Sequence, residues 1–222
     1  MMKTILYNLH KAFKSKRARA ILLCLVSMFS LSAQTPRKDS GADGLTELMH
    51  DDRLPKLLIG DRLPAEFWSQ KLDFHYTDGS SKSVLLDTLK DRLIVIDFWA
   101  TYCSPCVKSL DKWDAWQKKF PGVQIIPIHL YDFSSKALPF AKKRNWSLPL
   151  VFDNAVDTAI NKLFYYDRSY GQIWIRDGRL FAIPVSWEVA EQDIQNALQG
   201  IPPKMNLLLT HGEKRKERGT QP

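Results

Sequence analysis

Cys103 and Cys106 stand three positions apart, in Thr101-Tyr102-Cys103-Ser104-Pro105-Cys106, at the end of an apolar run. Thiols at this spacing can close a small disulfide ring, and the same spacing also serves zinc. If the pair opens a helix, the first thiol lies at the positive end of the helix dipole, which favours its thiolate. The thiolate attacks disulfides, and a second thiol nearby resolves the mixed disulfide. Cys103 is therefore the candidate nucleophile, and Cys106 the candidate resolving thiol, expected to be buried. Asp97 lies six residues before Cys103, inside the apolar run. An unpaired buried carboxylate is costly, so it needs a chemical role or a full set of hydrogen bonds. His129 at the end of a later apolar run reads first as a packed side chain. With the two thiols it would also supply three metal ligands, which keeps a metal-binding protein open as an alternative.

Several elements must position these residues. Leu93–Trp99 is β-branched and apolar, which predicts a buried central strand. Pro105 suits a first helical turn because it has no N–H to leave unpaired. The helix is expected from Pro105 to Phe120, with Leu110, Trp113 and Trp116 on one face, so both tryptophans read as core. Val123–Leu130 is a second strand. A helix starting at Ser134 or Ser135 runs to Arg144, and Leu150–Phe152 is a short strand. Asp157–Phe164 is a short helix. Gln172–Arg176 and Leu180–Ile183 form a hairpin turned by Asp177-Gly178, and Val189–Leu198 closes as a helix before Gly200. Ahead of these, Leu72–Tyr76 and Ser83–Leu85 alternate around the turn Thr77–Ser80 and predict another hairpin. Leu86–Leu89 is a short helix. Parallel then antiparallel strands interleaved with helices make an α/β sandwich.

Asp97 to Cys106, DFWATYCSPC, resembles the active-site strand and turn of thioredoxin-fold oxidoreductases. A longer match starts at Ile59-Gly60-Asp61-Arg62-Leu63-Pro64 and ends at Ile173-Trp174-Ile175-Arg176-Asp177-Gly178. It resembles the TlpA/ResA-like thiol–disulfide proteins of bacterial envelopes. The resemblance implies a thioredoxin-like three-layer α/β sandwich with an added N-terminal β-hairpin. It implies thiol–disulfide exchange with no cofactor beyond the cysteine pair. Asp97 would relay a proton to Cys106, and Trp99, Tyr102, Ser104 and Pro105 would shape the lip around the thiolate. Tyr102 stands where the family has Trp, and Asp111 where many such helices have a kinking Pro, which implies a straighter helix. Tyr170, within Arg168-Ser169-Tyr170-Gly171, stands where the family has a cis-Pro whose backbone holds substrate. Pro149 is a rival for that position. A thiol peroxidase of the related redoxin group needs Thr in a Thr-x-x-Cys setting, and Thr101 is only two positions before Cys103.

The formal net charge is +8, and the two ends carry it. Residues 1–33 hold six Lys/Arg and no acid, and residues 203–222 hold five Lys/Arg and two acids. The part between them has a net charge of −1, which argues against nucleic acid as a partner. Lys11, Lys14, Lys16, Arg17 and Arg19 precede an apolar run from Ile21 to Leu31, and Leu31-Ser32-Ala33 resembles a small-residue cleavage site. Residues 1–33 therefore read as an export signal, with an uncleaved membrane anchor as the alternative. Cys24 lies inside that run, in a context unlike a lipidation site. Removal of residues 1–33 would leave Cys103 and Cys106 as the sole pair, and an exported protein with one closely spaced pair favours redox activity over stapling. Residues 34–56 read as a linker, 57–202 as the thioredoxin-like domain and 203–222 as a basic disordered tail. Export and resemblance together imply a periplasmic or outer-envelope location. They imply cysteine-containing exported proteins and a membrane thiol reductant as partners.

Overall fold

The computed structural model describes residues 57–130, 134–152, 159–164, 172–203 and 209–210. The expected signal, the linker and Tyr170 lie outside the described residues, as does nearly all of the basic tail. The described elements run as α1 (Ala65–Trp68), β1 (Lys71–His75), β2 (Ser81–Leu85), a 3₁₀ turn (Leu86–Leu89), β3 (Leu93–Trp99), α2 (Ser104–Lys119) and β4 (Val123–His129). They continue as α3 (Ser134–Lys143), α4 (Ala159–Phe164), β5 (Gln172–Arg176), β6 (Arg179–Ala182) and α5 (Glu191–Leu198). Among the described residues no helix is long and apolar enough to cross a membrane.

The main sheet has the order β4-β3-β5-β6. Strand β4 is parallel to β3, β5 is antiparallel to it, and β6 is antiparallel to β5. All seven residues of β3 are buried, as its continuous apolar character demands of a central strand covered on both faces. The strand's period of two sends alternate side chains to opposite layers. Ile94, Ile96 and Phe98 join the layer built by α1, α4 and the first hairpin. Leu93, Val95 and Trp99 join the layer built by α2, α3 and α5. Asp97 shares the second face and so lies under α2.

The added hairpin pairs β1 with β2 in register, from Lys71 opposite Leu85 to His75 opposite Ser81. The expected strand at Leu150–Phe152 is reduced to two isolated bridges: Leu150 to His75 and Val151 to Ile128. That short segment links the hairpin to the β4 edge. The β5–β6 turn places Asp177 and Gly178 at φ of 51° and 72°, the left-handed pair that a two-residue hairpin turn needs. The closing helix begins at Glu191 rather than Val189, because the backbone at Ala190 is still extended and its N–H donates to Asp193 Oδ2 at 3.0 Å. Trp113 is fully buried, whereas Trp116 is only half-buried and its indole N–H donates to Glu191 Oε1 at 3.1 Å.

Candidate active site

Strand β3 ends at Trp99 and the chain turns through Ala100–Tyr102 into α2. Cys103 is the N-cap residue: its N–H donates to the Ala100 carbonyl at 3.0 Å, and its carbonyl accepts from Val107 N–H at 3.0 Å. No side chain caps this end, so no neighbouring group competes for the first-turn N–H donors. Pro105 occupies the first turn. The helix is unbroken through Asp111. Cys103 and Cys106 are joined by a disulfide, with their Cα atoms 5.3 Å apart.

Both cysteines are half-buried. The expectation of a buried Cys106 is corrected to this extent: Cys106 packs against the apolar layer under α2 but keeps some exposure. Tyr102 is 68% exposed, and Ser104 and Pro105 are also exposed, so these three line the outside of the turn. Trp99 does not. It is 1% exposed, with ring centroids 4.9 Å from His129 and 5.3 Å from Trp146. The alternation of β3 turns its ring inward, so it supports the turn from below rather than forming its lip. Pro149 is buried and its peptide bond is trans.

Asp97 is 2% exposed and is held by two residues that sequence reasoning did not single out. Ser109 Oγ donates to Asp97 Oδ2 at 2.8 Å, and Gln172 Nε2 donates to the same oxygen at 2.9 Å. Gln172 also donates to Ser109 Oγ at 2.9 Å and accepts from Trp174 Nε1 at 2.9 Å. Burial pushes the Asp97 carboxyl up to about 6, while the hydrogen bonds from Gln172 and Ser109 pull the other way. No charged neighbour contributes to the shift. Ser109 follows Cys106 by three positions, so both lie on one face of α2, and the carboxyl sits beneath that face. One signal for Gln172 was available. It is the polar member of an inward-facing pair, Gln172 and Trp174, in a strand whose other face is apolar.

Among the described residues no group of three or more His, Cys, Asp or Glu side chains is placed to hold a metal ion. His129 is 4% exposed, between the rings of Trp99 and Phe152.

Residues 69–173 match the AhpC/TSA family. The thiol-disulfide oxidoreductase ResA of Halalkalibacterium halodurans is 26% identical over 101 residues, which cover 45% of this chain and 57% of that protein. The protein of the same name from Bacillus cereus is 26% identical over 117 residues, covering 51% and 63%. The fold is thioredoxin-like, and the chain resembles the ResA-type oxidoreductases. The chain spans little more than half the length of the ResA relatives it matches. A putative thiol:disulfide interchange protein DsbE from Chlorobium tepidum aligns with a TM-score of 0.48 at 21% identity, covering 65% of this chain and 98% of that one. The segment matched by the AhpC/TSA family, residues 69–173, carries Cys103, Cys106, Asp97, Ser109 and Gln172.

Proposed function

We propose that the protein is an exported thiol–disulfide oxidoreductase that reduces disulfides in envelope proteins through Cys103 and Cys106. The observation that carries this reading is the Cys103–Cys106 disulfide at the uncapped start of α2, above a buried carboxyl. In the reduced pair, the Cys103 thiolate attacks one sulfur of a partner disulfide, and the other partner sulfur leaves as a thiolate that takes a proton. Asp97, ionised, accepts the Cys106 proton. The Cys106 thiolate then attacks Cys103 Sγ, closes the intramolecular disulfide and frees the second partner thiol. Two electrons pass from the cysteine pair to the partner. A thiol reductant at the membrane returns the pair to its reduced form. Tyr102, Ser104 and Pro105 form the exposed surface that the partner meets first. Tyr170, which lies outside the described residues, is a further proposed substrate contact on the ground of its sequence position alone.

The basic and apolar segments of residues 1–33 support export, with or without retention as an anchor. The near-neutral central part of the chain supports protein partners rather than nucleic acid. Dithiothreitol-coupled reduction of insulin by the purified protein tests the reading: turnover that requires both cysteines is expected. Replacing Cys106 by Ser leaves the attack intact and removes its resolution. That variant accumulates a mixed disulfide visible by mass on a non-reducing gel. Peroxide consumption without disulfide reduction would reassign the protein as a thiol peroxidase. Stoichiometric metal with no disulfide turnover would reassign it as a metal-binding protein.

A further inference from the structure

The hydrogen bonds beneath Cys106 run in one direction. An indole N–H can only donate, so Trp174 Nε1 fixes Gln172 Oε1 as an acceptor and turns the amide nitrogen toward Asp97. That nitrogen donates both to Asp97 Oδ2 and to Ser109 Oγ. Ser109 Oγ already accepts from Gln172, so its own proton points at Asp97 Oδ2. Oδ2 thus receives two committed donors. A proton placed on Oδ2 would have to displace one of them, whereas Oδ1 carries neither. The three residues come from elements that the fold holds rigidly. Gln172 is the register partner of Asp97 across the β3–β5 ladder, Trp174 is two residues further along the same face, and Ser109 is 1% exposed on α2.

We infer that Trp174, Gln172 and Ser109 are positioning residues that hold the Asp97 carboxyl in one orientation and favour its ionised form, the form that can take a proton from Cys106. The inference rests on the proposed relay and deepens it. The donated bonds favour the ionised carboxyl, and burial favours the neutral one. The clamp therefore sets how much of Asp97 is ready to accept a proton near neutral pH. Helix α2 carries Cys106, the exposed Lys108, Lys112, Lys118 and Lys119, and the half-buried Asp111 and Asp114. Lys112 is hydrogen-bonded to the Trp187 and Val189 carbonyls, Asp111 pairs with Arg144, Asp114 with Lys118, and Lys119 with Glu191. Strand β4 carries His129 two ladder positions beyond the residue opposite Asp97. Strand β5 carries Arg176, whose guanidinium is taken by Asp177 and the Ala197 carbonyl.

The test is a carbon-13 titration of the Asp97 carboxyl in the purified protein, assigned by its loss in Asp97→Asn. The pH profile of disulfide exchange is followed in parallel. Ser109→Ala and Gln172→Met should each raise the Asp97 midpoint by about one to two pH units, from the strength of a hydrogen bond to a charged group. Ser109→Thr keeps the hydroxyl and should restore the wild-type midpoint, while Trp174→Phe should give a smaller rise. Ser109→Ala removes only one oxygen, so it reads the clamp even if Gln172→Met does not fold. An unshifted midpoint in folded Ser109→Ala overturns the inference, whatever the exchange activity. A shifted midpoint in a protein that reduces no disulfide would leave the clamp standing and remove the oxidoreductase reading instead.

Discussion

Two aspartates meet the same helix in opposite ways. Asp97 lies beneath the first turns of α2, buried, with neutral donors only. Asp111 lies on α2 itself, 38% exposed, where it pairs with the Arg144 guanidinium and accepts from Trp146 Nε1 at 2.8 Å. Burial raises both carboxyls. At Asp97 it wins, and the group sits at about 6. At Asp111 the hydrogen bonds from Arg144 and Trp146, with the arginine's charge, outweigh it and hold the carboxyl below its ordinary value. One region keeps an acid poised to change charge near neutral pH. The other uses an acid as a brace between α2 and the end of α3. An acid buried without a cation is the costlier arrangement, and it is the one found beneath the cysteine pair.

The comparison can be broken or sharpened by substitution. The largest effect is expected from Cys103→Ser, which should bring insulin reduction down to the uncatalysed rate, because the poised acid has nothing to serve without the attacking thiol. Asp97→Asn should slow exchange at pH 7 by about 100-fold, the usual scale for losing a positioned acid–base group, as read by stopped-flow thiol–disulfide exchange. The same variant should be more stable than wild type at pH 7. The Asp97 carboxyl ordinarily ionises near 3.8 and does so here at about 6. Between those values the folded state keeps a proton that the unfolded chain releases, so wild-type stability falls as pH rises through about 6. The penalty is complete above that range and absent below 3.8. Urea unfolding should therefore show a gain of roughly 3 kcal/mol for Asp97→Asn at pH 7 that disappears at pH 3.5.

Asp111→Ala should behave in the reverse sense. It should lose about 1 kcal/mol at pH 7, discounted for the solvent around the pair, and leave exchange rates within about twofold. Because its carboxyl is held below the usual range, the stability it supplies is present at neutral pH and is lost on acidification. Arg144→Ala should cost least, about 0.5 kcal/mol or less, and the loss should shrink in high salt. If Asp111→Ala slowed exchange as much as Asp97→Asn, the division between poised acid and brace would fail.

The central strand and the cysteine turn were legible because their signals are local. Leu93–Trp99 is an apolar run interrupted only by Asp97, Pro105 marks a helix start, and Asp177-Gly178 is a turn pair. Asp97 was legible as an anomaly, a charge within that run. Its partners were not, because Ser109 and Gln172 are 12 and 75 residues away in sequence and meet it only through the β3–β5 register and the packing of α2. Trp99 was misplaced for a related reason. Proximity to the motif suggested a lip residue, but strand alternation puts it on the inward face with Val95. The segment Leu150–Phe152 read as a short strand, yet it makes only one isolated bridge on each side, Leu150 to His75 and Val151 to Ile128.

The most direct measurement is the reduction potential of the Cys103–Cys106 pair, obtained by equilibrating the purified protein with dithiothreitol or glutathione buffers. A single reversible two-electron couple, more reducing than about −200 mV, is the predicted result. A strongly oxidising couple would contradict the reductive direction, and the absence of any reversible couple would contradict disulfide exchange itself.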